Sequence, residues 1–316
     1  MTPHEVGPTA LGSPGRALGP PASTLDDEGH EHERGGTGTL SSGAGHGGLG
    51  LVLSSGAARG AIHVGVLQVL EAAAVPVRVV AGTSSGALVG AAWAGGVPAD
   101  VIAEWVSHAT WADFGSTRPN RRLALLDTGV LRERLDEVLG ARLIEEFPRR
   151  FGAVATDVRS RTPVLLDHGS VTDAVCSSIA VPGLFPPMRI DGRLLVDGHL
   201  TSPTPVWAAR RLGAQTVIAV RLTPATSARP GSVRSRVVSP EPDHLAANLE
   251  IVVDAREYSA WSPRDVSRLI ELGRRSTEHA LADIQRLVAD PAGGQIPRCC
   301  APPGPHPATA PLASVP

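Results

Sequence analysis

The stretch that most constrains the fold of this chain is residues 77–90, where a serine stands between a strand pattern and a helix pattern. Residues 77–80 form a β-branched run that predicts a strand. Gly82, Ser84 and Gly86 follow with Gly-x-Ser-x-Gly spacing, and the small apolar residues after them predict a helix. A serine at a tight strand-to-helix turn is typical of a nucleophile elbow, in which the helix N-terminus stabilises a developing oxyanion. The same pattern also fits a small-residue loop in an ordinary βα unit.

A second pattern, directly before the first one, predicts the fold class. Residues 49–53 form an apolar run that predicts a strand, and residues 54–60 form a loop of mostly small residues. The helix after this loop is predicted by apolar residues that recur on one helix face: Ile62, Val66, Val69 and Leu70. Strand, helix and strand in this order imply a parallel pair joined by a crossover. We therefore expect an α/β domain with a mainly parallel sheet.

Composition divides the chain into one folded domain and two disordered ends. Of 316 residues, 35 are Gly and 28 are Pro, concentrated near the ends and in one internal stretch. Residues 1–47 and 290–316 hold few large apolar side chains. Because such segments cannot bury enough surface to offset the entropy lost on ordering, we predict that both are disordered. The folded domain is predicted over residues 48–289, with a flexible excursion at 223–243.

The second half of the domain continues with strand and helix patterns. Residues 151–156 predict a strand, and short apolar runs on either side of Asp191-Gly192 predict a hairpin. Residues 244–260 and 263–289 predict two helices.

Charge, cysteine content and hydropathy exclude several classes of protein. A net charge of −2 gives no basic surface for nucleic acid. Cys176, Cys299 and Cys300 form neither a disulfide framework nor a spaced metal site, and no metal or organic cofactor is expected. The sequence shows no apolar run of about 18 residues, which a membrane span would need, and no N-terminal leader pattern. We expect a cytoplasmic protein whose contact with a membrane surface is transient and peripheral.

Asp197 is the strongest sequence candidate for the base that a nucleophilic serine requires. A serine hydroxyl is a weak nucleophile until a neighbouring group takes its proton. Asp197 ends an apolar strand pattern and precedes Gly198, which places it at the carboxyl edge of the predicted sheet, beside Ser84. An aspartate at a strand end also commonly caps the following turn. A histidine base is the other option, and its candidates among the histidines downstream of the serine are His108, His168, His199, His244 and His279.

Four stretches follow one another in an order that is typical of a known family. They are the loop at residues 51–60, the Gly-x-Ser-x-Gly at 82–86, the Ser-Ser-Ile-Ala-Val-Pro segment from residue 177, and Leu-Val-Asp-Gly at 195–198. Together they resemble the patatin-like phospholipase family, in its bacterial branch. The resemblance covers about residues 49–222.

This resemblance implies a three-layer α/β/α sandwich and a serine hydrolase acting on lipid or phospholipid acyl esters. Ser84 would attack the ester and form an acyl-enzyme, and Asp197 would accept its proton without help from a histidine. The resemblance assigns the oxyanion loop to Ser55, Gly56, Ala57, Ala58, Arg59 and Gly60. It assigns a structural role in the elbow and in the aspartate motif to three glycines: Gly82, Gly86 and Gly198.

Three residues depart from the family pattern. Ser55 and Ala57 stand where the family has glycines, and His199 follows the Asp-Gly pair where the family has Gly or Ala. A Cβ at a loop position that needs a positive φ carries strain. These departures motivate the alternative of a catalytically weak or silent domain that binds lipid or a protein partner. The apolar residues of 110–127 fit a core under a loop better than an acyl channel.

Overall fold

The computed structural model describes residues 48–110, 116–117, 126–223, 246–290 and 299–300. Strands and helices alternate along most of this chain. In order they are β1 (Leu49–Leu53), α1 (Ala61–Ala72), β2 (Val77–Thr83), α2 (Ser85–Ala94), α3 (Ala99–His108), β3 (Ser116–Thr117), β4 (Leu126–Asp127), α4 (Gly129–Leu139), β5 (Arg150–Asp157), β6 (Pro163–Leu166), α5 (Val171–Ser178), β7 (Met188–Ile190), β8 (Arg193–Asp197), α6 (Val206–Arg211), β9 (Thr216–Leu222), β10 (Leu249–Val253), α7 (Val266–Ala289) and β11 (Cys299–Cys300).

A single large sheet forms the centre of the described residues. Its order is β11-β10-β9-β1-β2-β5-β8-β7, and β6 pairs with β5 outside this path. Every pairing from β11 to β5 is parallel, whereas β6, β7 and β8 run antiparallel to their neighbours. Leu53 at the end of β1 lies opposite Gly82 in β2, so the loop after β1 begins beside the turn after β2. The mainly parallel α/β sheet that the sequence predicts is confirmed.

Helices cover both faces of this sheet. Along β1, Leu51 and Leu53 belong to a large buried cluster, and Val52 belongs to a smaller one. The large cluster includes side chains of α1 to α5 and α7, whereas the smaller cluster includes those of α6. Because successive strand residues point to opposite faces of a sheet, the two clusters are two separate cores. This is the predicted three-layer α/β/α arrangement.

Helices α1 and α7 cross at very short range within the large core. A Cβ added to Gly65 in α1 would lie 1.9 Å from the carbonyl oxygen of Ile270 in α7. A Cβ added to Gly273 in α7 would lie 2.0 Å from the carbonyl oxygen of Ile62 in α1. The two glycines therefore allow the helix backbones to touch. None of the described helices is both long and apolar enough to cross a bilayer.

The helix predicted over residues 244–260 is wrong. Leu249–Val253 form strand β10, which pairs in parallel with β9. The segment is rich in β-branched residues, and its burial alternates along the strand as it does at the side of a sheet. Two residues of the tail predicted as disordered, Cys299–Cys300, form the short strand β11 on β10. The helix predicted over residues 263–289 is confirmed by α7, which follows a short turn of 3₁₀ helix.

Candidate active site

Ser84 lies at a sharp turn between β2 and α2. Its backbone has a φ of 54° and a ψ of −122°, a combination that strains any residue with a Cβ. A Cβ added to Gly82 would lie 2.4 Å from the carbonyl oxygen of Gly86, and one added to Gly86 would lie 2.2 Å from that of Leu53. The glycines thus let the strand, the helix and β1 converge around the serine. The turn has the geometry of a nucleophile elbow.

A second serine braces this turn. The backbone N–H of Ser84 donates to Oγ of Ser178 at 2.8 Å, and the Ser178 hydroxyl donates to the carbonyl oxygen of Val154 at 2.7 Å. Ser178 is fully buried at the end of α5. Because the bond satisfies a buried N–H in a strained turn, Ser178 is a positioning residue. Sequence reasoning assigned no role to Ser178, although the residue belongs to the Ser-Ser-Ile-Ala-Val-Pro segment that the family resemblance singles out.

Asp197 is the hydrogen-bond partner of the Ser84 side chain. The Ser84 hydroxyl donates to Oδ2 of Asp197 at 2.7 Å, and the backbone N–H of His199 donates to Oδ1 at 2.7 Å. Asp197 is only 3% exposed, and this burial raises its pKa to about 6, although both hydrogen bonds favour the carboxylate. A carboxylate with this pKa is a stronger base than an exposed aspartate. It also touches the hydroxyl whose proton it would accept.

The end of β8 holds Asp197 in place through its backbone. The N–H of Asp197 donates to the carbonyl oxygen of Ala180 at 2.9 Å, and the Thr156 hydroxyl donates to the carbonyl oxygen of Asp197 at 2.9 Å. A Cβ added to Gly198 would lie 2.1 Å from the carbonyl oxygen of Val154. Glycine is therefore required after Asp197 because β5 passes against this turn.

The loop after β1 offers backbone donors beside the elbow. The N–H groups of Ser55 and Ala58 each donate at 2.9 Å to carbonyl groups elsewhere in the fold. In the part of the chain that the structure describes, the N–H groups of Gly56 and Ala57 have no such acceptor. Ala57 lines the same cavity as Ser84. Its N–H is therefore the strongest candidate of this loop for binding an oxyanion.

Arg59 and Gly60 fix the loop against the elbow. A Cβ added to Gly60 would lie 2.4 Å from Cβ of Ser85, the first residue of α2. The Arg59 guanidinium donates to the carbonyl oxygen of Thr223 at 3.3 Å and to that of Gly56 at 3.5 Å, and burial lowers its pKa. Arg59 thus braces the loop, and Gly60 lets the loop approach the helix closely.

The three departures from the family pattern have different structural consequences. Ala57 has a φ of 51°, so the strain predicted for a Cβ in this loop applies there. Ser55 is not among the described residues with a positive φ. The Ser55 Oγ instead lies 2.6 Å from Nδ1 of His199, so two of the three departures contact each other.

The histidine option finds no support in the hydrogen bonds of the described residues. The Ser84 hydroxyl is bonded to Asp197, and none of the described histidine rings is bonded to Ser84. His244 lies outside the described residues. The other four candidates lie within them: His108, His168, His199 and His279.

An apolar cavity of about 540 Å³ opens beside Ser84. Helices α2, α3 and α4 and the segment after α5 form its walls, with side chains that include Leu88, Trp105, Leu135, Leu184 and Phe185. Cavities of this size and character bind the apolar parts of small molecules. Of the apolar residues for which a channel or core role was weighed, Leu126 lies in β4, whereas four lie outside the described residues: Trp111, Phe114, Leu123 and Leu125. Within those residues no cluster of His, Cys, Asp or Glu could hold a metal ion.

Comparison with known proteins gives matches to solved structures and matches to sequences. VipD from Legionella pneumophila, a solved structure, aligns with a TM-score of 0.44 and 13% identity over 75% of this chain and 67% of that chain. An uncharacterized NTE family protein of Mycobacterium tuberculosis (strain ATCC 25618 / H37Rv) is 34% identical over 197 residues, which are 58% of this chain and 52% of that protein. The chain thus spans about half the length of this relative.

Two further matches carry the family name. Patatin-like phospholipase domain-containing protein 6 of Mus musculus is 34% identical over 179 residues, which are 54% of this chain and 13% of that protein. The family model described as patatin-like phospholipase matches residues 51–210, half of this chain. This range contains the loop after β1, the turn at Ser84 and the end of β8 at Asp197. The chain belongs to the patatin-like phospholipase family.

Proposed function

We propose that this chain is a serine acyl-ester hydrolase that acts on lipid or phospholipid esters through Ser84 and Asp197. One observation carries the proposal: the Ser84 hydroxyl donates to a buried carboxylate at 2.7 Å where an apolar cavity opens. Nucleophile and base are within direct reach, and the cavity offers space for an acyl chain. Family membership and the phospholipase name of the mouse relative support a lipid substrate.

The proposed reaction consists of acylation and deacylation of Ser84, and Asp197 carries the proton in both steps. In the first half, Asp197 accepts the Ser84 proton while Oγ attacks the ester carbonyl, and the protonated Asp197 then gives this proton to the departing alcohol. In the second half, Asp197 takes a proton from water, whose hydroxide attacks the acyl-enzyme, and Ser84 recovers a proton as the acid leaves. The N–H group of Ala57 stabilises the oxyanion in both halves, and such a donor is typically worth about 3 kcal/mol.

Exposure at the cavity mouth supports a substrate that is presented by a lipid surface. Trp261 lines the cavity and is 53% exposed. An indole ring at a boundary between apolar and wet surroundings suits a membrane interface. We therefore expect transient contact between this mouth and a lipid surface during turnover.

The test is hydrolysis of p-nitrophenyl esters with acyl chains of increasing length. We expect kcat/KM to rise from acetate to medium-length chains as they fill the cavity, and Ser84→Ala to lose this activity. Ser276→Ala is the matched control, because Ser276 is also buried and its hydroxyl only bonds to Leu272 within α7. Hydrolysis that persists in Ser84→Ala would contradict the proposal, and no hydrolysis by the folded wild-type protein would favour the silent lipid-binding alternative.

A further inference from the structure

The Ser55–His199 contact joins the two loops that frame the candidate active site. Ser55 belongs to the loop after β1, which offers the oxyanion donors, and His199 belongs to the turn that follows Asp197. Oγ of Ser55 and Nδ1 of His199 are 2.6 Å apart, although the residues are 144 positions apart in the chain. A family member with glycine at both positions has no side chains to make this bond.

The backbone N–H groups of both residues also form hydrogen bonds at the turn that follows Asp197. The N–H of Ser55 donates to the carbonyl oxygen of Pro203 at 2.9 Å, at the far end of the turn that carries His199. The N–H of His199 donates to Oδ1 of Asp197 at 2.7 Å. The side-chain bond to Ser55 therefore restrains His199, the residue whose backbone N–H orients the Asp197 carboxylate.

The His199 ring is suited to hold this bond over the working pH range. The His199 side chain is solvent-exposed at its outer side, yet partial desolvation and the nearby Arg59 guanidinium lower its pKa, so the imidazole is neutral near pH 7. A neutral ring bonds to the Ser55 hydroxyl in either tautomer, because the hydroxyl both donates and accepts. Neither residue lines the apolar cavity, so the pair leaves the space for an acyl chain open.

We propose that Ser55 and His199 form a positioning pair that fixes the carboxylate of Asp197 relative to the oxyanion loop. The inference rests on the proposed function. On this account the two departures from the family pattern compensate each other, and they do not mark a silent domain. A displacement of about 1 Å between nucleophile, base and oxyanion donors costs up to about a hundredfold in rate, which is the effect that the pair would prevent.

The test is a set of four variants in the full chain, assayed by hydrolysis of p-nitrophenyl octanoate: Ser55→Ala, His199→Ala, the double variant and His199→Asn. We expect each alanine variant to lower kcat about tenfold with little change in KM, and the double variant to be no slower than either. His199→Asn keeps a side-chain partner for the Ser55 hydroxyl and should recover most of kcat. His168→Ala, which removes a ring paired only with its neighbour Asp167, is the control.

The pH profile separates positioning from a loss of fold. The wild-type acid limb of kcat/KM is expected near pH 6, where Asp197 titrates. Loosening the His199 turn weakens an N–H bond that favours the carboxylate, so this limb should move to higher pH in the alanine variants. Unchanged kcat and unchanged pH profiles would overturn the inference, as would a rate that rises when the pair is removed. Failure of the proposed function is a separate result, because the wild-type protein would then show no Ser84-dependent hydrolysis.

Discussion

At Asp197, the burial that makes the carboxylate basic also opposes folding. Its pKa in the folded protein is about 6, above the ordinary value of 3.8. A raised pKa means that the folded state binds the proton more tightly than the unfolded state does. The resulting stability is fully present below about pH 4 and is lost as the pH rises through 6. At pH 7, the ionised Asp197 therefore costs up to about 3 kcal/mol of unfolding free energy.

This cost predicts opposite effects of Asp197→Asn on stability and on activity. The amide cannot ionise, so the free energy of unfolding in urea at pH 7.5 should rise by about 1 to 3 kcal/mol. It also cannot accept the Ser84 proton, so kcat should fall by about 10² to 10⁴. A variant that is less stable than the wild type, or that still hydrolyses esters at a near-normal rate, would contradict this account.

At the scale of elements, short-range packing decides where glycine is needed and where its absence causes strain. Gly82, Gly86 and Gly198 lie where a Cβ would collide with a backbone carbonyl group. Ala57 instead carries its Cβ in the left-handed region, at a φ of 51°. The loop after β1 thus has the same turn without a glycine, and the backbone of Ala57 is strained.

Replacing Ala57 by glycine should relieve that strain. Because the left-handed conformation is costly for alanine, Ala57→Gly should raise the free energy of unfolding by roughly 0.5 to 1 kcal/mol. The matched control is Ala58→Gly, one residue later at an ordinary φ, which should lower the free energy of unfolding. Urea melts of both variants measure the difference, and a loss of stability in both would contradict the strained conformation.

The crossing of α1 and α7 makes a second prediction at this scale. Gly65→Ala and Gly273→Ala should each lower the free energy of unfolding by about 2 kcal/mol or more, because each Cβ would meet backbone atoms that cannot rotate away. Thermal and urea melts measure this loss. Variants as stable as the wild type would show that the two helices lie farther apart.

The sequence predicts those helices and strands whose conformation is set by neighbouring residues in the chain. The elbow strand is visible as a β-branched run, and the hairpin as two apolar runs on either side of Asp191-Gly192. Helix α7 is visible as a helix pattern over residues 263–289. The helix prediction at β10 is wrong because the β-branched residues of this segment pair in parallel with β9, a partner that the sequence alone does not identify. The brace from Ser178 and the bond between Ser55 and His199 connect residues 94 and 144 positions apart, so only the folded chain brings them together.

Across the whole molecule, two buried groups give stability slopes of opposite sign. His63 is fully buried beneath the loop after β1, where Nε2 donates to the carbonyl oxygen of Ser54 at 2.7 Å. Burial lowers the pKa of His63 from 6.5 to about 4. The folded state therefore binds this proton less tightly, and up to about 3 kcal/mol of stability is lost as the pH falls from 6.5 to 4. Protonation of Asp197 raises the free energy of unfolding by a similar amount as the pH falls over nearly the same range.

Single substitutions should therefore reveal a pH dependence that the wild type conceals. Between pH 7 and pH 4.5, Asp197→Asn should lose stability more steeply than the wild type, because the His63 slope is no longer offset. His63→Gln should lose stability less steeply, or gain it, over the same interval. Urea melts at four pH values measure these slopes, and parallel slopes in all three proteins would contradict the two pKa shifts.

The reactivity of Ser84 is the central claim, and a fluorophosphonate probe tests it most directly. The purified chain is treated with the probe and the adduct is located by mass spectrometry, with Ser84→Ala as the control. We predict a single adduct on Ser84, lost in the control and strongly slowed in Asp197→Asn. A folded protein that forms no adduct on Ser84, or that labels equally well without the Asp197 carboxylate, would contradict the account.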